Sequence, residues 1–320
     1  MFFYEAFEEE VQALRRCLPT VVEAGFTWRT IQEQGDGEPP ASVISIRTQS
    51  IIPVSWATKV SGILSRSTGY DHIEGYRKEC GKDVPCGYLP LYCSRAVAEQ
   101  AMLLWMSLLR KLPRQMHNFS RFQRDGLTGG ECEHRMLLVV GVGNIGYEVV
   151  KIGQGLRMDV LGVDIVKRHS SVSYVSIGEG LPRADVIVCA MNLTSENAGY
   201  FNYKLLKRAK PGVVFVNVAR GEMSPSGDLL RLLGENHLGG VGLDVYSREI
   251  ELAVSLRTGR SSKDEEVQAT LALAKHPNVV LTPHNAFNTR EAVDRKAVHS
   301  IQQINHFLEH GDFLWPVPLT

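Results

Sequence analysis

Three side chains stand just beyond apolar runs and together carry what the proton-coupled reduction of a carbonyl requires. His284 follows VVLTP, Arg220 follows VVFVNVA, and Glu249 lies five residues past Asp244, which ends the run VGLD. Hydride delivered to a carbonyl carbon leaves charge on the oxygen, so a site for it needs an acid to protonate that oxygen and a cation to hold the substrate. Histidine exchanges protons near neutrality, and His284 is the best placed of ten histidines; the other nine lie in loops or helical stretches. Arginine is costly to bury at a strand end unless it meets an anion, and its fork matches a carboxylate. A domain-interface ion pair is the other use for Arg220, and plain packing the other use for a lone histidine. Glu249 completes the set, because a carboxylate beside an imidazole orients the ring and favours its protonated form.

The hydride source is written in Leu137 to Gly146, LLVVGVGNIG. An apolar strand runs into Gly141, Gly143 and Gly146, and a helix-like pattern of Ile145, Val149 and Val150 follows. The first glycine permits a tight turn, the second lets a pyrophosphate approach the backbone, and the third lets helix and strand pack closely. The phosphates then meet the positive end of a helix. Asp164, 18 residues past Gly146 at the end of the next apolar run, is placed to accept both ribose hydroxyls and to repel a 2'-phosphate. That favours NAD over NADP, with Lys167 and Arg168 close behind as the counterweight. In a chain with 29 glycines the bare GxGxxG is weak, and the strand before it, the helix after it and the acid give it weight.

These residues need a scaffold, and the apolar runs supply one. From Leu137 onward LLVV, VLGV, VIVCA, VVFVNV, VGLD and VVLT recur with helical stretches between most of them. That is the rhythm of a doubly wound parallel sheet, in which ligands bind beyond the carboxyl ends of the strands. Gly141, Asp164, Asn192, Arg220, Asp244 and His284 all fall there. Residues 1 to about 94 alternate short apolar runs with helical stretches and suggest a smaller α/β unit. The spacing predicts a helix over about 95–112, with Ala98, Met102, Trp105, Met106 and Leu109 on one stripe and Pro113 as its stop. A second long helix, over about 289–310, carries Ala297, Ile301, Ile304 and Leu308 on one face, with Asn288 and Glu291 as its cap and Gly311 as its stop. Its natural place is back on the first unit, so the expected organisation is a discontinuous substrate domain, 1–104 and 288–320, around a dinucleotide domain, 105–287.

Bulk composition narrows the function classes. A chain of 320 residues with 44% apolar and 22% charged content has the size for two domains and the make-up of a soluble globular protein. Lys plus Arg equals Asp plus Glu at 35 each, so no overall field favours nucleic acid or an acidic membrane. The start, MFFYEAFEEEV, is acidic where a signal peptide needs basic residues, and no apolar run approaches a membrane span, which together read as cytoplasmic. Six scattered cysteines without a CxxC read as free thiols. ECEH, Glu131 to His134, sits in a polar loop with no second cluster, so no metal is expected.

The segments SRSTGYDHI (Ser65 to Ile73), YCSRAVAEQA (Tyr92 to Ala101), GVGNIG, NVARGEM (Asn217 to Met223), GLDVYSRE (Gly242 to Glu249) and LTPHNAFNTREA (Leu281 to Ala292) follow one another in an order that resembles the D-isomer-specific 2-hydroxyacid dehydrogenases. The likeness covers nearly the whole chain and is strongest to the D-lactate dehydrogenase group. It implies an NAD-dependent oxidoreductase interconverting a small 2-oxo acid and its D-2-hydroxy acid, with a Rossmann cofactor domain and a flavodoxin-like substrate domain. Arg220, Glu249 and His284 then match the catalytic three. Thr68 and Gly69 fall where backbone amides grip the substrate carboxylate, and Asp244 where the nicotinamide carboxamide is held. Asn144, Ile145, Asn192 and Ala219 join the cofactor set. Tyr92 and Phe287 match aromatics of the lactate group and either narrow the pocket around a small side chain or pack as ordinary aromatics. A homodimer through the cofactor domain is implied as well. Corepressors related to the family keep its fold and catalytic residues, which makes a cofactor-gated binding protein the alternative.

Departures from the family pattern stand beside the matches. Ile250 replaces the proline that usually follows the catalytic glutamate, and Asn192 replaces a common proline. Arg95 stands where the lactate group tends to have asparagine; it either favours a second acidic group on the substrate or is an exposed helix-end charge. The 251–276 stretch is longer than the family usually has. Ser262 and Glu265 are spaced as a capping box there, predicting a short extra helix, either a lid or a solvated excursion.

Overall fold

Alternating strand and helix patterns build two parallel sheets, each in its own unit. The computed structural model describes residues 1–20 and 22–318; positions 319 and 320 of the expected substrate domain lie outside the described residues. One unit is Met1–Cys93 with the segment from Asn288 onward, and the other is Ser94–Phe287.

In the first unit the chain runs β1 (Phe2–Phe3), α1 (Glu8–Cys17), β2 (Gly25–Phe26), α2 (Ile31–Gln34), β3 (Val43–Ile46), β4 (Gly62–Ser65), α3 (Asp71–Cys80) and β5 (Cys86–Gly87). The strands pair in parallel in the order β2-β1-β3-β4-β5, the flavodoxin-like order. VISI and GILS are buried along their whole length, as strands covered on both faces must be. Tyr4, Ile44, Ile46, Trp56, Ile63 and Ile73 form the core.

The second unit contains α4 (Ser94–Leu109), α5 (Leu112–Asn118), β6 (Met136–Val140), α6 (Asn144–Gly155), β7 (Asp159–Val163), β8 (Ser173–Tyr174), α7 (Ile177–Gly180) and β9 (Val186–Cys189). It continues with α8 (Tyr203–Leu206), β10 (Val213–Asn217), α9 (Ser226–Gly234), β11 (Leu238–Leu243), α10 (Glu249–Thr258), α11 (Glu265–Leu273) and β12 (Val279–Leu281). The parallel order β12-β11-β10-β9-β6-β7-β8 winds outward from β6 in both directions. Its switch point, between β6 and β9, is where such sheets bind ligands.

Several boundaries differ from expectation for identifiable reasons. The helix expected over 95–112 ends at Leu109; Lys111 takes a left-handed φ of 52°, and Pro113 sits in the first turn of α5, where proline is tolerated, instead of acting as a stop. The units part after Cys93, not at 104, because α4 packs on the second sheet. Gly240 and Gly242 of β11 lack side chains where Leu108 and Leu104 lie, and a Cβ on either glycine would come within 2.9 Å of those leucines. The 251–276 stretch forms two helices instead of one. Asp264, not Ser262, caps α11 by accepting from Glu266 and Val267 amides at 2.9 and 3.1 Å. α11 packs on α9, where Glu266 accepts from the Ser226 amide at 2.7 Å.

The last helix, α12 (Arg290–His310), returns to the first unit. Its cap is Thr289, not Asn288, and Gly311 ends it at φ 81°. Phe307, not Leu308, continues the buried face; Leu308 is 57% exposed, while Phe307 stacks on Phe313 and fills the space left by Gly62 of β4. Beyond α12 the chain joins the β5 edge, with the Val317 amide donating to Cys86 and Gln303 donating to the Tyr88 carbonyl at 2.8 and 2.7 Å.

Candidate active site

Backbone geometry at the glycine turn leaves the N-terminus of α6 open to an anion. Gly141 has φ 90°, and a Cβ there would lie 2.6 Å from the Met191 amide, so the turn is pressed against the chain leaving β9. A Cβ on Gly146 would lie 1.8 Å from the Gly141 carbonyl. Gly143, by contrast, faces open space at the N-terminus of α6. Only glycines at 141 and 146 allow this turn, and the open side lies where backbone N–H groups favour an anion. Asn144 and Ile145 form the first turn of α6. At the end of β7, Asp164 accepts from Val142 and Val166 amides at 2.6 and 2.9 Å, bracing it against the glycine turn. Asn192 is exposed in the loop after β9.

The turns that follow β10, β11 and β12 carry the remaining polar residues of the second unit. Buried Asn217 donates to the Arg220 carbonyl and to Ser224 Oγ, both at 2.8 Å, and accepts from the Ala219 amide, which fixes the ARGEM turn. Half-buried Arg220 donates from Nη1 to the Ala219 carbonyl at 3.0 Å. A Cβ on Gly221 would sit 1.9 Å from the Tyr246 carbonyl carbon, so this turn lies directly on the one that leads to Glu249. Arg248, at φ 55°, starts α10 and sets Glu249 in its first turn. His284 Nδ1 and Glu249 Oε2 are 2.7 Å apart, and both side chains are half-buried.

Asp244 is only 1% exposed, and its contacts explain how His284 is held. Oδ1 accepts from Thr282 Oγ1 and the Asn285 amide at 2.5 and 2.9 Å, and Oδ2 from the Ala286 amide at 2.9 Å. Those groups flank His284 on both sides, so the carboxylate clamps the loop that presents the imidazole. Burial pushes the Asp244 carboxyl above its ordinary range, against the pull of these hydrogen bonds. Tyr246 donates to the Thr282 carbonyl at 2.7 Å, and Gln100 donates to Thr282 Oγ1 at 3.2 Å. Sequence reasoning missed Tyr246, Thr282, Gln100 and Asn217, although each stands within two residues of a residue it singled out.

In the first unit Thr68 and Gly69 lie in the turn between β4 and α3. Thr68 Oγ1 donates to the Leu89 carbonyl at 3.2 Å and lies 3.3 Å from Cys93 Sγ, while Ser67 Oγ donates to the Gly69 carbonyl at 2.7 Å. Tyr92 in the first unit and Phe287 in the second are buried aromatics, 3% and 7% exposed. Exposed Arg95 pairs with Glu99 at 2.6 Å and lies 3.5 Å from Glu148, the arrangement of a surface helix-end charge. Within ECEH, Glu133 pairs with Arg157 and Cys132 lies against Met106; among the described residues no cluster of three or more His, Cys, Asp or Glu could hold a metal.

A parallel sheet with a side-chain-free turn at its switch point, and a carboxylate-held imidazole beyond its later strands, defines the class of nicotinamide-dependent oxidoreductases. Residues 101–286 match the NAD-binding domain of the D-isomer-specific 2-hydroxyacid dehydrogenases, and the chain is 30% identical over 272 residues to the D-lactate dehydrogenase of Streptococcus agalactiae, covering 82% of this chain and 80% of that one. The chain belongs to the D-isomer-specific 2-hydroxyacid dehydrogenase family. It is 30% identical over 253 residues to the aromatic 2-oxoacid reductase of Clostridium sporogenes, covering 77% and 75% of the two chains. The D-lactate dehydrogenase of Aquifex aeolicus, solved in complex with NAD and lactic acid, superposes with a TM-score of 0.83 at 25% identity over 98% of each chain.

Proposed function

We propose that this enzyme reduces a small 2-oxo acid to the D-2-hydroxy acid, using NAD as its cofactor. The observation that carries the reading is the 2.7 Å contact between His284 and Glu249. With Nδ1 engaged by the carboxylate, Nε2 is the nitrogen left to meet the substrate oxygen. Arg220 holds the substrate carboxylate, and the family likeness adds the backbone amides of Thr68 and Gly69. The glycine turn would hold the dinucleotide's diphosphate, and the bound cofactor would supply the hydride to the carbonyl carbon. His284 gives its proton to the oxygen that was the carbonyl's, completing the alcohol, and regains one from solvent. Glu249 keeps the ring oriented through both steps. Asp244, Asn192 and Ala219 complete the cofactor wall.

Cofactor preference rests on Asp164, whose charge at the end of β7 opposes a 2'-phosphate. Tyr92 and Phe287 favour a small substrate side chain by filling volume with aromatic rings. We also infer a homodimer through the second unit. Leu112, Met116, Phe119 and Phe122, between 41% and 76% exposed, follow helical spacing along α5 and the turn beyond it, and a second copy would cover them. None of the six cysteines is in a disulfide, which suits a reducing compartment such as the cytoplasm. Among the described residues no helix is long and apolar enough to cross a membrane.

The test is NADH oxidation with a panel of 2-oxo acids, from pyruvate to phenylpyruvate, alongside His284→Ala. The variant is expected to lose about 10²–10⁴-fold in kcat while binding NADH as tightly as before. Undiminished turnover in it would remove His284 as the acid.

A further inference from the structure

The chemistry above leaves unused a charge cluster inside the first unit. Glu10 on α1, Arg66 just past β4 and Lys296 on α12 are all fully buried. One oxygen, Glu10 Oε1, accepts from Arg66 Nε at 2.8 Å and is ion-paired with Lys296 Nζ at 2.6 Å. Arg66 also donates to Ser45 Oγ at 2.9 Å and to the Tyr4 carbonyl at 2.7 Å. Lys296 Nζ lies 5.6 Å and 5.8 Å from the ring centres of Phe7 and Tyr92. Buried ion clusters are poor sources of stability, since well-packed apolar residues often do better in their place.

What the three charges are attached to gives them a use. Arg66 stands two residues before Thr68, with its backbone amide donating to Ile46 at 2.8 Å. Lys296 follows Arg295, whose Nε donates to the Tyr92 carbonyl at 2.9 Å. Tyr92 leads into Cys93, whose sulfur is 3.3 Å from Thr68 Oγ1. A single carboxylate therefore joins the two chain segments that flank Thr68.

We propose that Glu10 and Lys296 are positioning residues that fix the Thr68–Gly69 turn, and with it the two amides offered to the substrate carboxylate. The inference rests on the reading that those amides bind that carboxylate. Burial pushes the Glu10 carboxyl up, but Arg66, Lys296 and Arg47 outweigh it and hold it at about 2. Burial pulls Lys296 down to about 7, with Glu10 opposing and Arg47 and Arg66 adding to the fall. Without the Glu10 charge Lys296 has little reason to stay protonated, so the two act as one unit.

Steady-state kinetics of the wild type, Glu10→Gln, Lys296→Met and the double variant test this. Each single change is expected to raise KM for the 2-oxo acid about tenfold, with kcat and KM for NADH changed less than about twofold. The double variant should be no worse than the worse single one, as for residues in one chain of contacts. An unshifted KM for the acid in folded variants, checked by circular dichroism, would overturn the proposal, as would additive effects. Should Glu10→Gln fail to fold, Lys296→Met, which keeps the Glu10–Arg66 pair, decides alone. Absence of any 2-oxo acid turnover by the wild type overturns the functional reading; normal wild-type turnover with unshifted KM in the variants overturns only the positioning role.

Discussion

His284 holds φ at 50°, in a region that costs a side-chain-bearing residue roughly 1–2 kcal/mol. The Asp244 carboxylate makes that conformation tenable by binding the loop on both sides of it. Asp244→Asn turns an acceptor oxygen into a donor facing an N–H group, and we expect kcat to fall at least about tenfold, with a stability loss of about 1–3 kcal/mol by urea denaturation. Glu10 shapes the acid limb of stability. With its folded carboxyl held at about 2 against an ordinary 4.5, its contribution is complete above pH 4.5 and lost as pH falls toward 2. Lys296→Met removes one of the cations holding it down, so in urea titrations of that variant the acid loss should still begin near pH 4.5 but be smaller and finish at a higher pH. Arg220 and His284 stand out in the sequence because each closes an apolar run. Asp244 was legible as a residue but not as a clamp, since its partner Thr282 is 38 positions away. Glu10 is the last of three consecutive glutamates, and nothing in the residue types sets it apart from its exposed neighbours Glu8 and Glu9. Lys296 did leave a signal: it lies four residues after Ala292 and four before Ser300, on the buried face of α12.

At the level of elements, the turns after β10 and β11 are a matched pair. Gly221 lets the Arg220 turn rest on the Tyr246–Ser247 backbone, and there is no room for a Cβ. Gly221→Ala must push the two turns apart, so kcat/KM for the 2-oxo acid should drop sharply, with about 1–3 kcal/mol of stability lost in thermal or urea unfolding. The strands of the second sheet were legible because parallel strands buried on both faces are continuous apolar runs. α10 was not, because it buries only Leu252 and Ser255 and has no side-chain cap, leaving periodicity nothing to register. The start of α11 was misread by two residues for a local reason: Ser262 bonds to Glu251 and the Asp264 amide, and Asp264 takes the cap.

For the whole molecule, assembly and chain order are the open variables. If a second copy covers the apolar face on α5, Phe119→Asp combined with Phe122→Asp should convert a dimer to a monomer in sedimentation velocity; an unchanged mass would place the interface elsewhere. The two-unit organisation was legible, but its boundary was not, because α4 is apolar enough to suit either sheet, and Gly240 and Gly242 decide which one receives it. The discontinuity of the first unit also bears on synthesis. Residues up to Cys93 leave the ribosome with Glu10 and Arg66 in hand, but Lys296 and the segment that joins β5 follow only after all of Ser94–Phe287. The second unit can complete its sheet during that interval, while the first waits with a bare strand edge. A nascent chain halted near residue 287 would therefore be the form most exposed to chaperones, with the glycine turn already made and the Thr68–Gly69 turn still without the contacts that Lys296 and Arg295 bring.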